Sequence, residues 1–444
     1  MDQVITTGNN LFDASNLNTD DKPNTIFTNN KNTTRPYSTL TQNVLNWFVF
    51  FLAFPAAEIL GNSITFYLFI FIALRIGIFW TSSFKGKTFL LLFLLTALIS
   101  TISAPSMPRH PGIFAAIKIL IQYVYWVMVG LFFISQKSRI DLLQISKWIF
   151  FGIVAGSFCF YFSSVKFGGG VFEINLGQSR NTYVFNLLCT IPLSFYYLIK
   201  RWGKKKAVWF MPLYIVIMLL TGGRSGAVLI IVQMLLVGAI IFPSVQRTAK
   251  ILLPIFAVFY LLLQSIPTQI YLDALADQVE PINPRFANLL RGEEDGDLSS
   301  DKSWLVRKLM VDKGIEIFKE YPVFGIGPNN FKRFDSKLST LYSYDRLSGQ
   351  DVDFFNSRSA HNSYIELLSE MGIPGITFML LMLILPLIFF FKQFFIGQFN
   401  LQYLPFVSLL GITMHFYAIA ALTGAIAWLI IGMAWGILNN KRSQ

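Results

Sequence analysis

Two short stretches hold residue types that could do chemistry. The first is His361-Asn362-Ser363-Tyr364-Ile365-Glu366-Leu367-Leu368-Ser369-Glu370-Met371-Gly372-Ile373-Pro374-Gly375. It reads as a short helix running into an apolar segment, with Ser363 and Glu366 at capping-box spacing. His361 then falls just before or at the helix N-terminus. The helix dipole there disfavours the imidazolium and lowers the pKa, which suits a general base or hydrogen-bond acceptor. The plainer alternative is a surface histidine capping the helix. The second stretch is Thr221-Gly222-Gly223-Arg224-Ser225-Gly226, between two apolar runs. Its glycines permit a tight turn and close backbone approach. The forked guanidinium of Arg224 suits a diphosphate or a carboxylate, or it snorkels to lipid headgroups.

A third set is the arginines of the 267–373 segment: Arg285, Arg291, Arg307, Arg333, Arg346 and Arg358. Most are expected to be solvated partners of nearby acids. Arg307 differs, because it opens an amphipathic helix marked by Trp304, Leu309, Ile315 and Phe318 that ends at Tyr321-Pro322. Other groups read as ordinary structure. Glu293-Glu294-Asp295-Gly296-Asp297 is an acidic loop, and Asp351-Val352-Asp353 is a three-residue chance match to a metal-chelating pair. His110, His361 and His415 are too dispersed for a metal site, and His415 reads as a hydrogen-bonded packing residue inside an apolar span. Glu58, near the outer end of the first span, is an intramembrane carboxylate of uncertain depth. Cys159 and Cys189 lie in expected helices and read as small buried side chains. No metal and no cofactor are expected.

The elements that must position these residues are membrane helices. Of the 444 residues, 54% are hydrophobic and only 14% charged, against roughly 25% charged in a soluble domain. Apolar runs long enough for spans lie near 44–60, 64–80, 88–103, 113–134, 148–165, 182–199, 207–221, 226–242, 250–266, 374–391, 402–418 and 421–438. The expected fold is an all-α integral membrane protein of about twelve transmembrane helices. A polar, Asn- and Thr-rich stretch 1–43, without the apolar run of a signal peptide, reads as a disordered cytoplasmic tail. Helices one to nine occupy 44–266, one large outer loop with short helices occupies 267–373, helices ten to twelve occupy 374–438, and 439–444 is a second cytoplasmic tail. The net charge of +12 does not indicate nucleic-acid binding, because the cations sit in short runs between spans. One set of short loops and the C-terminus hold 15 of them, including Lys200, Arg201, Lys204, Lys205 and Lys206, while the other set holds Arg109, Lys166, Arg180 and Arg224. The positive-inside rule then puts both termini in the cytoplasm and the large loop outside. That loop carries 12 basic and 17 acidic residues, and loops of this length are usually functional.

Taken together, three motifs resemble the O-antigen ligase and O-antigen polymerase superfamily. They are Thr-Gly-Gly-Arg-Ser-Gly around Arg224, Arg307 followed by a helix and Tyr321-Pro322-Val323-Phe324-Gly325-Ile326-Gly327-Pro328-Asn329-Asn330-Phe331, and His361-Asn362 followed by Glu366 and Gly372-Ile373-Pro374-Gly375. The resemblance runs over roughly 180–440 and reaches the earlier spans only in hydropathy. It implies a polyisoprenoid-dependent membrane glycosyltransferase in the cytoplasmic (inner) membrane, with an undecaprenyl-diphosphate-linked glycan as donor and no metal. Arg224 and Arg307 would stabilise the diphosphate leaving group, and His361 would accept or orient the acceptor hydroxyl; displacement by that hydroxyl inverts the anomeric centre. Arg180, Arg285 and Asn362 would contact donor or acceptor. The acceptor is another lipid-linked repeat unit in the family's polymerases and lipid A-core in its ligases, with a chain-length regulator as a possible partner. The polymerase is favoured, because nothing in the sequence identifies a lipid A-core surface. Two other readings stand beside it. Twelve helices with outward arginines would also suit a small-anion transporter such as one for bicarbonate, although its charges belong at the midplane. A peptidoglycan glycosyltransferase of similar architecture would not need the histidine motif.

Overall fold

The computed structural model describes residues 37–54, 57–59, 62–76, 85–105, 113–136, 140–162, 166–169, 172–175, 180–221, 224–263, 266–281, 287, 303–337, 359–397, 400–417 and 424–441. A helix occupies most of each apolar run of the sequence, and the first run, 44–60, is helical only as far as Ala53. In order the helices are α1 (Thr39–Ala53), α2 (Ile64–Ile76), α3 (Lys85–Ile102), α4 (Ile113–Ser135), α5 (Leu142–Phe162), α6 (Arg180–Ala207), α7 (Phe210–Leu220), α8 (Arg224–Ile241) and α9 (Pro243–Leu263). Then come α10 (Ile266–Val279) and α11 (Ser303–Glu320), and finally α12 (Ser363–Ile396), α13 (Leu404–His415) and α14 (Ala425–Lys441). Among the described residues, four stretches are long and apolar enough to cross a bilayer: Ala116–Ser135, Leu142–Tyr161, Asn181–Ala207 and Ser363–Ile396, and five shorter apolar helices accompany them. The chain is a multi-pass helical membrane protein, and the twelve-span count remains an expectation.

The connecting loops add something the all-helical expectation left out. Strands β1 (Ala57–Ile59), β2 (Asn62–Ser63), β3 (Lys166–Gly169) and β4 (Phe172–Asn175) form a small antiparallel sheet in the order β2-β1-β4-β3. Glu58 therefore lies in a strand, paired in register with Ser63 on one side and Glu173 on the other, and not at a helix end. An extended segment satisfies its backbone through strand neighbours, which relieves the requirement for a helix at this point.

The sheet also fixes which loops share an end of the bundle, because it joins the α1–α2 connection to the α5–α6 connection. At the same end Tyr161 donates to the Ile217 carbonyl at 2.7 Å, tying α5 to the end of α7. At the opposite end Tyr37 donates to Gln136 at 3.1 Å. There Gln246 and Lys250 of α9 donate to the Phe394 and Phe395 carbonyls, at 2.9 and 2.8 Å, near the end of α12. Loops that the charge bias groups together thus meet in space.

Prolines inside these helices each remove one donor, leaving the carbonyl four residues earlier without its helical partner. In an apolar surrounding such a carbonyl needs a replacement. Pro192 frees Leu188, whose carbonyl accepts from Gln233 Nε2 at 2.8 Å. Pro386 frees Met382, whose carbonyl accepts from the buried indole Trp435 Nε1 at 3.0 Å. Pro374 frees Glu370, whose carbonyl accepts from Ser100 Oγ at 2.6 Å and from the Gly327 N–H at 2.9 Å. Gln233 also reaches the Val407 carbonyl at 3.2 Å, so one amide joins α6, α8 and α13. Replacing Gln233 by Leu is expected to cost about 1–3 kcal/mol, because a buried carbonyl loses its donor. Thermal unfolding of the detergent-solubilised protein checks this, and a Gln233→Met variant, similar in size but without a donor, should lose as much as the Leu variant.

Candidate active site

The large loop has a core of its own. Leu309, Met310 and Ile317 of α11 pack with Ile326, Phe331 and Ala360, separately from the bundle core. Helix α11 ends at Glu320, immediately before Tyr321-Pro322, as its periodicity predicts. The chain then turns through Gly325 and Gly327, forms a short 3-10 turn at Phe331–Arg333, and closes back on α11. Ser336 Oγ donates to Glu316 Oε2, and the Lys337 N–H donates to Glu316 Oε1 at 3.0 Å.

This turn docks onto the histidine segment backbone to backbone. Ile326 N–H donates to the Ser369 carbonyl at 3.1 Å, Gly327 N–H to the Glu370 carbonyl at 2.9 Å, and Ile373 N–H to the Pro322 carbonyl at 3.1 Å. Such close approach leaves no space for side chains. Gly325 (φ 65°) and Gly372 (φ 64°) both have left-handed backbone, and a Cβ on either would overlap the facing backbone of Glu370 or Val323. Gly372 also breaks α12 in two. A short helix from Ser363 to Met371 precedes the break, and the longer apolar part of α12 follows it.

The capping of this short helix differs from the capping-box expectation. Asn362, not Ser363, is the N-cap. Its Oδ1 accepts from the Tyr364 and Ile365 N–H groups at 3.0 and 3.1 Å. Ser363 is the first helical residue and is buried, with its N–H donating to the Phe416 carbonyl at 2.8 Å. That tertiary bond, together with the Tyr364 hydroxyl donating to the Thr413 carbonyl at 2.6 Å, ties the helix start to the end of α13. His361 directly precedes the cap, is partly exposed, and has φ 49°. A left-handed conformation is uncommon for a residue with a side chain, and such outliers gather at functional sites.

The other expected site residues sit at neighbouring helix ends. Arg180 is the first residue of α6 and Arg224 the first of α8. The two starts touch, since Gly226 lies against Val184. Phe185, one residue further, stacks at 6.2 Å on His415 and at 5.9 Å on Phe416, the residue that receives the Ser363 N–H. Arg307 lies in the second turn of α11, two residues before Leu309, and Leu309 shares the loop core with Ala360 beside His361. Four segments that are distant in sequence therefore converge at one end of the bundle. Three of them are helix N-termini, whose free N–H groups and dipoles favour an anion. The side chains of Arg180, Arg224 and Arg307 lie outside the described residues, as do Arg285, Glu293 to Asp297, Asp351 and Asp353. His415 is buried in the stack with Phe185, as a packing residue.

Two buried charged groups lie outside the set of site residues that the sequence singles out. Glu370 is buried, and its Oε1 accepts from the Phe331 N–H at 3.0 Å. Lys313 of α11 is fully buried, with its ammonium 5.1 Å from the Phe331 ring centre. Both signals were present. Lys313 falls between Met310 and Ile317 on the apolar face of α11, and Glu370 follows Glu366 by one helical turn. Replacing Glu370 by Ala is expected to loosen the docked turn, because the Phe331 N–H loses its buried acceptor at a cost of about 1–3 kcal/mol, and hydrogen exchange at Phe331 checks this.

Residues 209–380 match the O-antigen ligase family. That segment of the chain is similar to O-antigen ligases, in line with the resemblance to the O-antigen ligase and polymerase superfamily. The match runs from the start of α7 to the first turns of the span beyond Gly372, so it takes in Arg224, Arg307, the Tyr321–Phe331 turn and His361. It supports a glycan-transferring membrane enzyme in O-antigen pathways, with a lipid-linked glycan donor and an acceptor, and gives no support to anion transport. No curated protein matches the chain.

Proposed function

We propose that this protein transfers a glycan from an undecaprenyl-diphosphate-linked donor to an acceptor hydroxyl at the outer face of the cytoplasmic membrane. Polymerisation of repeat units is the favoured form of the reaction. One observation carries this reading: the docking of the Tyr321–Phe331 turn on the His361 helix, at the end of the bundle where α6 and α8 begin with Arg180 and Arg224. The acceptor oxygen attacks the anomeric carbon as the bond to the diphosphate breaks. Arg224 and Arg307, aided by the helix N-termini, take up the charge that develops on the leaving diphosphate. His361 takes the proton from the hydroxyl. Arg180, Arg285 and Asn362 are assigned to donor and acceptor contacts, with Asn362 also holding the helix that presents His361.

The test is reconstitution with a lipid-linked repeat unit, scored for longer lipid-linked glycans, with lipid A-core supplied in a parallel reaction. His361→Ala is expected to lower transfer by about 10²–10⁴-fold. Full transfer by that variant would remove the proposed base. Transfer to lipid A-core alone would assign the ligase reaction.

A further inference from the structure

The strongest unassigned feature lies at the end of the bundle opposite the candidate active site, where α6 passes into α7. Lys200, Arg201, Lys204, Lys205 and Lys206 place five cations within seven residues, and all five are exposed. None makes an ion pair with the described residues, and no acid occurs from 195 to 215. Gly203, with φ 77°, interrupts the helix, so Lys204 to Lys206 form a turn of their own beyond Lys200 and Arg201.

The corner is held in shape by aromatic packing. Trp202 stacks on Phe210 at 5.3 Å and 8°, and lies 6.2 Å from Tyr197. The backbone continues the turn through Val208 N–H to the Lys204 carbonyl and Trp209 N–H to the Lys206 carbonyl, at 3.3 and 3.2 Å. Trp209, by contrast, is 78% exposed and Trp202 40% exposed. Partly exposed indoles beside a run of cations are characteristic of the depth at which lipid headgroups meet acyl chains.

We propose that this α6–α7 corner is a binding site for anionic phospholipid headgroups. The charge density exceeds what orientation requires, since the other short loops of the same set carry one to three cations each. A fixed turn presenting lysines beside interfacial tryptophans offers a headgroup phosphate several donors while the indoles pack on its acyl chains. Because each cation near an anionic surface contributes about fivefold to binding, removing three is expected to weaken it by roughly a hundredfold.

The experiment uses the full chain in nanodiscs of phosphatidylcholine, titrated with phosphatidylglycerol, with bound lipid counted by native mass spectrometry. K204Q/K205Q/K206Q is expected to lose at least tenfold in phosphatidylglycerol retention, while K204R/K205R/K206R retains it. Lys392→Gln with Arg247→Gln, elsewhere at the same end, should leave retention unchanged. High salt should release the lipid, because an exposed electrostatic contact is screened. Equal retention by the triple Gln variant and the parent would overturn the proposal and leave a solvated basic turn. Equal loss in the Lys392/Arg247 variant would also overturn it, as general charge attraction. Displacement of the lipid by millimolar inorganic phosphate would do the same, because the site would then recognise a free anion.

Discussion

Replacing Gly372 by Ala should undock the large loop from the histidine helix. At φ 64° and ψ −162° the backbone lies where residues with a Cβ are strained, and the added carbon would overlap the Val323 carbonyl. Strain of about 1–3 kcal/mol combines with an overpacking cost of similar size, so the local loss is expected to reach about 3–5 kcal/mol. A small loop core of Leu309, Met310, Ile317, Ile326, Phe331 and Ala360 has little reserve against such a loss. The bundle core is separate, so the effect should be local. Limited proteolysis should cut the variant within 321–337 far faster than the parent, with the bundle helices still protected. Equal protection in both would show that the turn is not held by this contact.

Arg224→Lys should lower glycan transfer by about 10²–10³-fold without changing the fold. The substitution keeps a positive charge at the first residue of α8 but loses the planar fork that binds two phosphate oxygens together. Losing one oriented donor to developing charge costs about that much. Binding of the donor in the ground state should change less than turnover, since the larger charge develops as the diphosphate departs. A variant retaining more than half of the parent's transfer would remove Arg224 from the leaving-group site. Arg180→Lys, assigned to substrate contact, should raise KM more than it lowers kcat.

Much of the architecture was legible in the sequence because it depends on local pattern. A run of apolar residues in lipid has to satisfy its own backbone, and a helix does so without any other segment. Helices accordingly occupy most of each apolar run, and α11 stops at Tyr321-Pro322, where the ring cannot continue it. The three chemical motifs were legible for a similar reason, since glycines, an arginine and a histidine at fixed spacing are features of the chain itself. Family matching over 209–380 covers the same motifs.

Other features were settled only in three dimensions. Asn362 and Ser363 both have good capping side chains, and local sequence does not choose between them. The choice follows from Ser363 N–H, which bonds the Phe416 carbonyl from a different helix. The β-sheet between the α1–α2 and α5–α6 connections depends on two loops more than a hundred residues apart meeting edge to edge. Prolines 192, 374 and 386 are plain in the sequence, but not the donors that satisfy the carbonyls they free. Glu370 reads locally as a polar residue beside an apolar span, and only the docked turn shows that its carboxyl holds the Phe331 N–H 39 residues away. The sequence by itself determined which segments are helical and which residues could act. The tertiary structure decided which helix ends meet, because the approach of the α6 and α8 starts to the helix beginning at Ser363 depends on packing between segments whose contacts no local pattern specifies.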